Sequence, residues 1–292
     1  MKRFLSILLL FTLVCTAVAC GATTPHETTD PATTAEEIPT EAPTEKETTE
    51  EETTEAVPAV TTITVASYNV RHGDDVEYDW SKLAEVILQS GADVVGLQEI
   101  DMNTGRNGGR DTMAGLSEAT GFPYYVFIPA MNFDGGQYGT AILSRYPILS
   151  SDVITLNAGG YEPRALGAAE IELPDGSTLH FLNTHLAYED DFVRSTQFTQ
   201  VAKWIKRNIR DDSPVMITGD FNTADFSDYE PLEKQGFAIV NNAEHSYPTY
   251  RGNNTPIDNV VYLTSRLTPV EHDYIDSSYS DHNLLWCRFE IK

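Results

Sequence analysis

Cysteine is scarce in this 292-residue chain, which has only three. Cys15 and Cys20 lie in the first twenty residues, so beyond them only Cys287 remains. That part of the chain can form neither an intramolecular disulfide nor a cysteine-based metal site, and its stability must come from a hydrophobic core. Residues 61–292 contain regular apolar runs, no internal repeat and no second linker, which predicts one large domain.

Basic residues are also few. Nineteen Lys and Arg stand against 44 Asp and Glu, and the formal net charge is −25. Leaving out the eleven acidic and three basic residues of the first 60 positions, residues 61–292 still carry −17. Proteins that bind nucleic acid non-specifically gain most of their affinity from Lys and Arg. The composition therefore disfavours bulk nucleic acid as a partner, although a locally basic groove would be compatible with it.

Several catalytic motifs are missing. There is no Asp-x-His or Gly-Asn-His-Asp/Glu set of a dinuclear phosphoesterase and no His-x-His-x-Asp-His. A glycine-rich phosphate loop and a Gly-x-Ser-x-Gly nucleophile motif are absent as well. Any catalytic site must be assembled from other groups.

The longest apolar run is short. Lys2 and Arg3 precede the apolar stretch from Phe4 to Val18 and the small residue Ala19, as in a secretory signal. A transmembrane anchor is the alternative, but the run falls short of the ~20 residues that span a bilayer. We therefore predict a signal peptide over residues 1–20 and an extracytoplasmic protein.

Two features follow the signal region. Cys20 ends an Ala-Val-Ala-Cys stretch that resembles a bacterial lipobox and predicts lipidation of Cys20; the alternative is an ordinary cleavage site beside it. Residues 21–60 are mostly Thr, Glu, Pro and Ala, too polar to form a core. They predict a disordered acidic linker between the membrane and a domain at residues 61–292. A cell-surface lipoprotein is expected, or a secreted protein.

Apolar β-branched runs alternate with helical patterns along residues 61–292. Ser81 to Gln89, Met113 to Ala119 and Phe192 to Arg210 predict helices, with Ser81 as an N-cap. The predicted strands are Ile63 to Val70, Asp93 to Leu97, Thr140 to Ser144, Leu166 to Leu173, Leu179 to Thr184, Pro214 to Thr218, Ile257 to Leu263 and Leu284 to Ile291. Strands this apolar favour an α/β fold, with two sheets packed face to face and helices outside.

Polar residues follow the predicted strands. Asn69 and Glu99 end two of them, and an amide oxygen beside a carboxylate suits Mg²⁺ or Mn²⁺. Zn²⁺ is disfavoured because the histidines lack ligand spacing and no cysteine is available. The sequence therefore predicts a magnesium or manganese site at these strand ends, for which Asp281 is a further candidate.

Other strand ends carry groups suited to acid–base and phosphate chemistry. Asp220 and Asn222 point the same way if the backbone there is extended, so that Asp220 accepts a proton from water while Asn222 donates to a phosphate oxygen. A charged imidazole at His185 would stabilise negative charge on phosphorus. His282 needs a carboxylate to orient its ring, and Asp258 is assigned to it. Each residue alone has an ordinary structural explanation.

Taken together, these motifs resemble the endonuclease/exonuclease/phosphatase superfamily, the DNase I-like metal-dependent phosphoesterases. The matching blocks, in order, are Ser67-Tyr68-Asn69-Val70, Leu97-Gln98-Glu99, Tyr138 to Arg145, Asn183-Thr184-His185-Leu186, Gly219-Asp220-Phe221-Asn222, Ile257-Asp258-Asn259-Val260 and Ser280-Asp281-His282. They cover nearly all of residues 62–292.

The resemblance implies a four-layer α/β sandwich of two mixed sheets flanked by helices. It also implies metal ligation by Glu99 with Asn69, water activation by Asp220, phosphate contacts from Asn222 and His185, and a dyad of His282 with Asp258. The superfamily does not fix the substrate. Five basic residues lie close in sequence to the motif loops and could hold a phosphate or a headgroup: Arg71, His72, Arg106, Arg110 and Arg164. Arg71, His72 and Arg164 are taken as candidates for substrate binding, together with Tyr138.

The leading hypothesis is an extracytoplasmic, Mg²⁺-dependent phosphodiesterase that acts as a monomer on a small phosphoester or a lipid headgroup. A secreted nuclease is the second hypothesis. The third is a catalytically silent binding module on a stalk, for which loss of a motif residue would be the expected sign, and none is missing.

Overall fold

The computed structural model describes residues 61–292. The predicted signal peptide, the lipidation of Cys20 and the linker at residues 21–60 lie outside the described residues and stay predictions. Within the described part, no helix has both the length and the apolar character needed to cross a membrane.

The described residues form twelve strands and four α-helices. The strands are β1 (Thr62–Asn69), β2 (Val94–Met102), β3 (Tyr124–Phe133), β4 (Gly136–Ser144), β5 (Ile148–Leu156), β6 (Arg164–Glu172), β7 (Thr178–His185), β8 (Val215–Asp220), β9 (Phe237–Ile239), β10 (Asp258–Leu263), β11 (Leu267–Ile275) and β12 (Leu284–Ile291). The helices are α1 (Trp80–Gln89), α2 (Thr112–Thr120), α3 (Asp191–Asn208) and α4 (Glu230–Glu233). Two 3₁₀ helices span Arg71–Val76 and Phe226–Tyr229.

The strands make two mixed sheets of six strands each. The first has the order β11-β12-β1-β2-β4-β3 and the second β5-β6-β7-β8-β10-β9. In each sheet one neighbouring pair is parallel, β1 with β2 and β7 with β8, and the other pairs are antiparallel. In each parallel pair the two carboxyl ends lie side by side. The carboxyl ends of β1, β2, β7 and β8 lie at one end of the sandwich and carry the polar motifs.

Apolar side chains from both sheets interleave to form the central core. Val65 and Ile142 of the first sheet pack there with Phe181, Met216 and Val260 of the second. Leu83 and Ile87 of α1 cover the outside of the first sheet. Helix α3 covers the outside of the second. The predicted sandwich with flanking helices is confirmed.

A buried polar link joins the two sheets just beneath the motif residues. Gln98 Nε2 donates to Asn183 Oδ1 at 2.7 Å, and Thr218 Oγ1 donates to the same oxygen at 3.1 Å. Gly96 permits this approach, because a Cβ there would lie 1.9 Å from Thr218 Oγ1. Buried polar groups that satisfy one another define a unique register. The link therefore fixes the relative positions of the motif-bearing strand ends.

The helix boundaries differ in detail from the prediction. Asp79, not Ser81, caps α1: its carboxylate accepts the backbone N–H of Ser81. Asp190 caps α3, which begins at Asp191. The prediction at Ser81 was wrong because an aspartate two residues earlier can reach the free N–H groups of the first turn.

Candidate active site

The motif residues surround one cavity of about 470 Å³ at the end of the two sheets. Nine of the sequence-predicted site residues line it: His72, Glu99, Tyr138, Arg164, His185, Asp220, Asn222, Asp281 and His282. Asn69 and Asp258 are buried beneath these residues and bond to them. Arg71 does not line the cavity; it forms ion pairs with Asp75 and, at 3.7 Å, with Asp281.

Glu99 is placed by an irregularity in strand β2. The pairing of β2 with β4 shifts register between Leu97 and Ile100, and Glu99 has a positive φ of 58°. A left-handed conformation of a residue other than glycine costs of order 1–3 kcal/mol and marks functional positions. A β-bulge typically re-aims a side chain, and here the carboxylate of Glu99 lines the cavity.

Asn69 connects two of the carboxylates. Its Nδ2 donates to Glu99 Oε1 at 3.1 Å and to Asp220 Oδ2 at 3.0 Å. Its Oδ1 accepts the backbone N–H of Arg71 at 3.0 Å, which fixes the orientation of the amide. The amide oxygen of Asn69 was predicted to ligate a metal beside Glu99, whereas it accepts from Arg71 and the amide N–H groups face the two carboxylates. Asn69 therefore positions Glu99 and Asp220.

His282 lies between two buried aspartates. Its Nδ1 is 2.8 Å from Asp258 Oδ2, and its Nε2 is 3.6 Å from Asp220 Oδ2. Burial by itself would lower the pKa of His282, but the carboxylates of Asp258 and Asp220 outweigh it and raise the pKa to about 10. His282 is thus a buried imidazolium at neutral pH, held in place by Asp258.

Asp220 has the opposite perturbation. Burial and the nearby charge of Asp258 raise its pKa to about 7, while His282 and the N–H of Asn69 favour its ionised form. The register of β8 with β10 places Asp220 directly opposite Asp258. A carboxylate with a pKa near neutrality can accept a proton and release it again under physiological conditions.

His185 is also buried, but its partners differ. Its Nδ1 is 3.1 Å from Arg164 Nη1, and its Nε2 is 3.5 Å from Asp220 Oδ2. Burial and the positive charge of Arg164 hold the pKa of His185 well below its usual value. The expectation of a charged imidazole was therefore wrong, because a guanidinium occupies the position next to Nδ1. A neutral ring that accepts from Arg164 at Nδ1 carries its proton on Nε2.

Asn222 also departs from the expectation. Its φ is 54°, so the backbone after Asp220 is not extended. Its backbone N–H donates to Asp220 Oδ1 at 3.0 Å, and its side chain donates to the carbonyl of Leu186 at 2.9 Å. The turn orients the carboxylate of Asp220, and one N–H of the Asn222 amide is already used. Asn222 still lines the cavity.

The donor set fits a divalent cation. Burial would raise the pKa of Glu99, but interactions with His72 and Asn69 lower it to about 2, so Glu99 is ionised. Asp281 has its Oδ1 buried without a hydrogen-bond partner in the described structure. Burial raises the pKa of Asp281, and Glu99 raises it further. Carboxylate oxygens that repel one another are suitable ligands for Mg²⁺ or Mn²⁺.

A second group of possible metal ligands consists of Asp220, Asp258 and His282. One ligand atom from each of these residues lies within 4.8 Å of the others. A metal bound there by Nδ1 of His282 would replace the proton that this nitrogen shares with Asp258 Oδ2 at 2.8 Å. That contact makes the group an acid–base arrangement, so Glu99 and Asp281 are the better ligands.

Some cavity residues were not predicted as site residues. Glu162, Tyr188 and Tyr250 line the cavity from loops between strands or before a helix. Arg106, which the sequence offered as a residue that could hold a phosphate or a headgroup, also lines the cavity. Asp101 is fully buried and paired with Arg106, and the sequence gives no signal of this contact because the burial of Asp101 depends on the tertiary structure.

The chain is similar to known proteins in sequence and in fold. The uncharacterised protein YbhP of Escherichia coli is 32% identical over 101 residues, a match spanning 34% of this chain and 39% of that relative's length. The structure resembles an endonuclease/exonuclease/phosphatase from Beutenbergia cavernae with a TM-score of 0.68 and 19% identity, over 80% of this chain and 72% of that one. The catalytic domain of human Nocturnin with bound sulfate gives a TM-score of 0.64 and 21% identity, over 79% and 95% of the two chains.

At these identities the two solved structures show the fold alone. A sequence model of the endonuclease/exonuclease/phosphatase family matches residues 66–282, which is well over half of the chain. The matched span begins in β1 and ends at His282, so it includes the buried dyad and the carboxylates of the cavity. The protein therefore belongs to the endonuclease/exonuclease/phosphatase family, whose members hydrolyse phosphoesters.

Proposed function

We propose that the protein is an extracytoplasmic phosphodiesterase that depends on Mg²⁺ or Mn²⁺ and acts on a small phosphoester or a lipid headgroup. The observation that carries the proposal is the arrangement of Asp258, His282 and Asp220, with Glu99 and Asp281 beside them in one cavity. It combines a base with a pKa near 7, a buried cation and two further carboxylates.

In the proposed reaction Asp220 accepts a proton from the water that attacks phosphorus. The bond from phosphorus to the leaving oxygen breaks, and the alkoxide leaves as an alcohol after taking a proton from solvent. Hydrogen bonds from the Asn69 amide and from the backbone N–H of Asn222 hold the two carboxylate oxygens of Asp220 in place. His282, protonated and oriented by Asp258, presents Nε2–H to a phosphate oxygen as negative charge develops in the transition state. The neutral His185 donates a hydrogen bond from Nε2 without adding a positive charge to the site.

Glu99 and Asp281 would hold the divalent cation on which members of this family generally depend. When bound, such a cation stabilises the negative charge of the phosphate in the transition state. Asn69 contributes by holding Glu99 in the orientation that its bulged backbone sets.

The size and charge of the molecule favour a small substrate. A cavity of about 470 Å³ lies within the range of small-ligand sites, roughly 300–1,000 Å³. The domain is strongly acidic, which disfavours long nucleic acid. The predicted signal peptide and Cys20 support an extracytoplasmic location and a membrane tether, and we propose that the protein acts there as a monomer.

Phosphoester hydrolysis by the purified protein, measured with Mg²⁺ and with EDTA, tests this function. The substrates are bis-p-nitrophenyl phosphate, sphingomyelin, phosphoinositides and plasmid DNA. We expect EDTA-sensitive cleavage of the small esters or lipids. Cleavage of DNA in preference to them would establish a nuclease instead. Absence of both hydrolysis and Mg²⁺ binding would overturn the proposal in favour of a silent binding module.

A further inference from the structure

One side of the cavity has no direct contact with the attacked phosphate in the proposed reaction. Arg106, Tyr138 and Arg164 line this side, and we refer to them as the Arg106 subsite. Arg106 belongs to the loop between β2 and α2, whereas Tyr138 lies in β4 and Arg164 begins β6. The groups bonded or ion-paired to Asp220 Oδ2 are instead Asn69, His185 and His282.

Arg106 is anchored from behind. Its Nε and Nη2 donate to the two oxygens of Asp101 at 2.6 and 2.9 Å, and Asp101 is fully buried. The guanidinium also lies over the ring of Phe133, 4.5 Å from its centroid, and 5.5 Å from that of Tyr138. An arginine has five N–H donors. The Asp101 contact uses one N–H of Nε and one of Nη2. It leaves both N–H groups of Nη1 and the second N–H of Nη2 for a ligand.

The loop that carries Arg106 is itself fixed. Thr104 Oγ1 donates to Asp101 Oδ2 at 2.9 Å, and the Asn107 amide donates to the carbonyl of Arg110 at 2.9 Å. The hydroxyl of Tyr78 donates to the carbonyl of Arg106 at 2.6 Å. A guanidinium held in this way loses little side-chain entropy when it binds a ligand.

The other two members are buried donors. Tyr138 is 7% exposed, and burial together with Glu99 raises the pKa of its hydroxyl well above its usual value, so the hydroxyl keeps its proton. Arg164 is 3% exposed, and its Nε is buried without a hydrogen-bond partner in the described residues. Its Nη1 contacts Glu162 and His185.

Two acidic groups, Glu162 and Glu99, lie near this side of the cavity. Glu162 Oε1 is 2.8 Å from Arg164 Nη1, so each partly neutralises the other. Burial raises the pKa of Glu162, while the charge of Arg164 lowers it. Among the described residues the carboxylate paired with Arg106 is Asp101, so the Nη1 donors of Arg106 have no carboxylate partner inside the cavity.

We infer that the Arg106 subsite binds a second oxyanion of the substrate, a phosphate or carboxylate group other than the phosphate attacked beside Asp220. A planar guanidinium that is fixed on one edge presents parallel N–H groups of the kind that recognise oxyanions. The inference rests on the proposed function and narrows its substrate to phosphoesters with at least two anionic groups.

Binding of two matched ligand series to the full-length protein tests the inference. Calorimetry would compare straight-chain alkyl phosphates of two to four carbons with the alkanediol bisphosphates of the same lengths. We expect at least one bisphosphate to bind about tenfold more tightly than its monophosphate. Arg106→Lys keeps a positive charge but lacks the guanidinium N–H groups that would face the ligand. It should reduce the preference for the bisphosphate over the monophosphate to less than about threefold.

Arg110→Lys is the matched control, because Arg110 lies in the same loop and does not line the cavity. It should leave the preference unchanged. Tyr138→Phe removes one donor without disturbing Asp101, so it keeps the inference testable if Arg106→Lys does not fold; it should weaken bisphosphate binding alone. Equal binding of the two series by the wild type, or an equal loss for both in Arg106→Lys, would overturn the inference. Hydrolysis of bis-p-nitrophenyl phosphate in that case would show that the proposed function stands.

Discussion

Two histidines of the cavity, His185 and His282, are buried to a similar extent but differ in charge. His282 faces Asp258 and Asp220, and its pKa is raised to about 10. His185 faces Arg164, and burial with that charge lowers its pKa far below the usual value. Burial acts against the charged form of both rings. The nearest ionised partner therefore decides which histidine carries the positive charge of the site.

Removing the two rings should have unequal effects. We expect His282→Ala to lower kcat/KM for the best substrate of the panel by at least ~10²-fold, because it removes a positioned acid and a buried charge. His185→Ala removes a neutral donor and should cost roughly tenfold or less. His245→Ala, at an exposed position, serves as the control. Equal losses in the two variants would break the distinction drawn between the rings.

Glu99 interacts electrostatically with both histidines and is the best candidate ligand for the divalent cation. Glu99→Ala should lower turnover by at least ~10²-fold and raise the Mg²⁺ concentration needed for half-maximal activity. Its thermal unfolding should be close to that of the wild type, since the substitution leaves the core intact. Glu118→Ala, on the exposed face of α2, is the matched control. A fully active Glu99→Ala enzyme with unchanged Mg²⁺ dependence would show that Glu99 does not bind the cation.

The pH dependence sharpens the comparison further. Asp220 acts as an ionised base and its pKa is raised to about 7, so kcat/KM should fall as the pH drops through that value. His282 acts as a protonated donor, so kcat/KM should fall again as the pH rises through about 10. Asp258→Asn removes a carboxylate that raises the pKa of His282. The alkaline limb should then move to lower pH, with a loss of at least ~10-fold at neutral pH.

Asp220 remains 3.6 Å from His282 in that variant and preserves part of the ring's charge, which is why the loss should be smaller than for His282→Ala. Rate profiles of wild type and Asp258→Asn between pH 5 and 11, each with saturating Mg²⁺, provide the measurement. An alkaline limb that does not move would show that a group other than His282 controls it.

The sequence predicted the central strands and missed the edges. All eight predicted strands are present, and the four missed strands, β3, β5, β9 and β11, are the four edge strands of the two sheets. A central strand is covered on both faces and reads as a continuous apolar run. In β5, by contrast, only Leu156 is buried, so its sequence carries little such signal. Edge strands are recognised by their neighbours rather than by their own residues.

The identity of most cavity residues was also accessible from the sequence, since strand-end motifs must meet when parallel strands share an edge. The charge and the conformation of these residues were not accessible from the sequence. The left-handed conformations of Glu99 and Asn222 and the orientation of the Asn69 amide depend on contacts between residues distant in sequence. Arg106 reaches the cavity only because a loop folds back onto Asp101, and local patterns do not encode that path.

The sequence by itself determined that this protein is a two-sheet member of a phosphoester-hydrolase family, because burial dictates apolar runs and the family's motifs follow them. The tertiary structure alone decided which imidazole is charged, which groups position rather than react, and where a second anionic group could bind. These properties depend on distances of about 3 Å between side chains from different strands, over which charges act strongly once water is excluded.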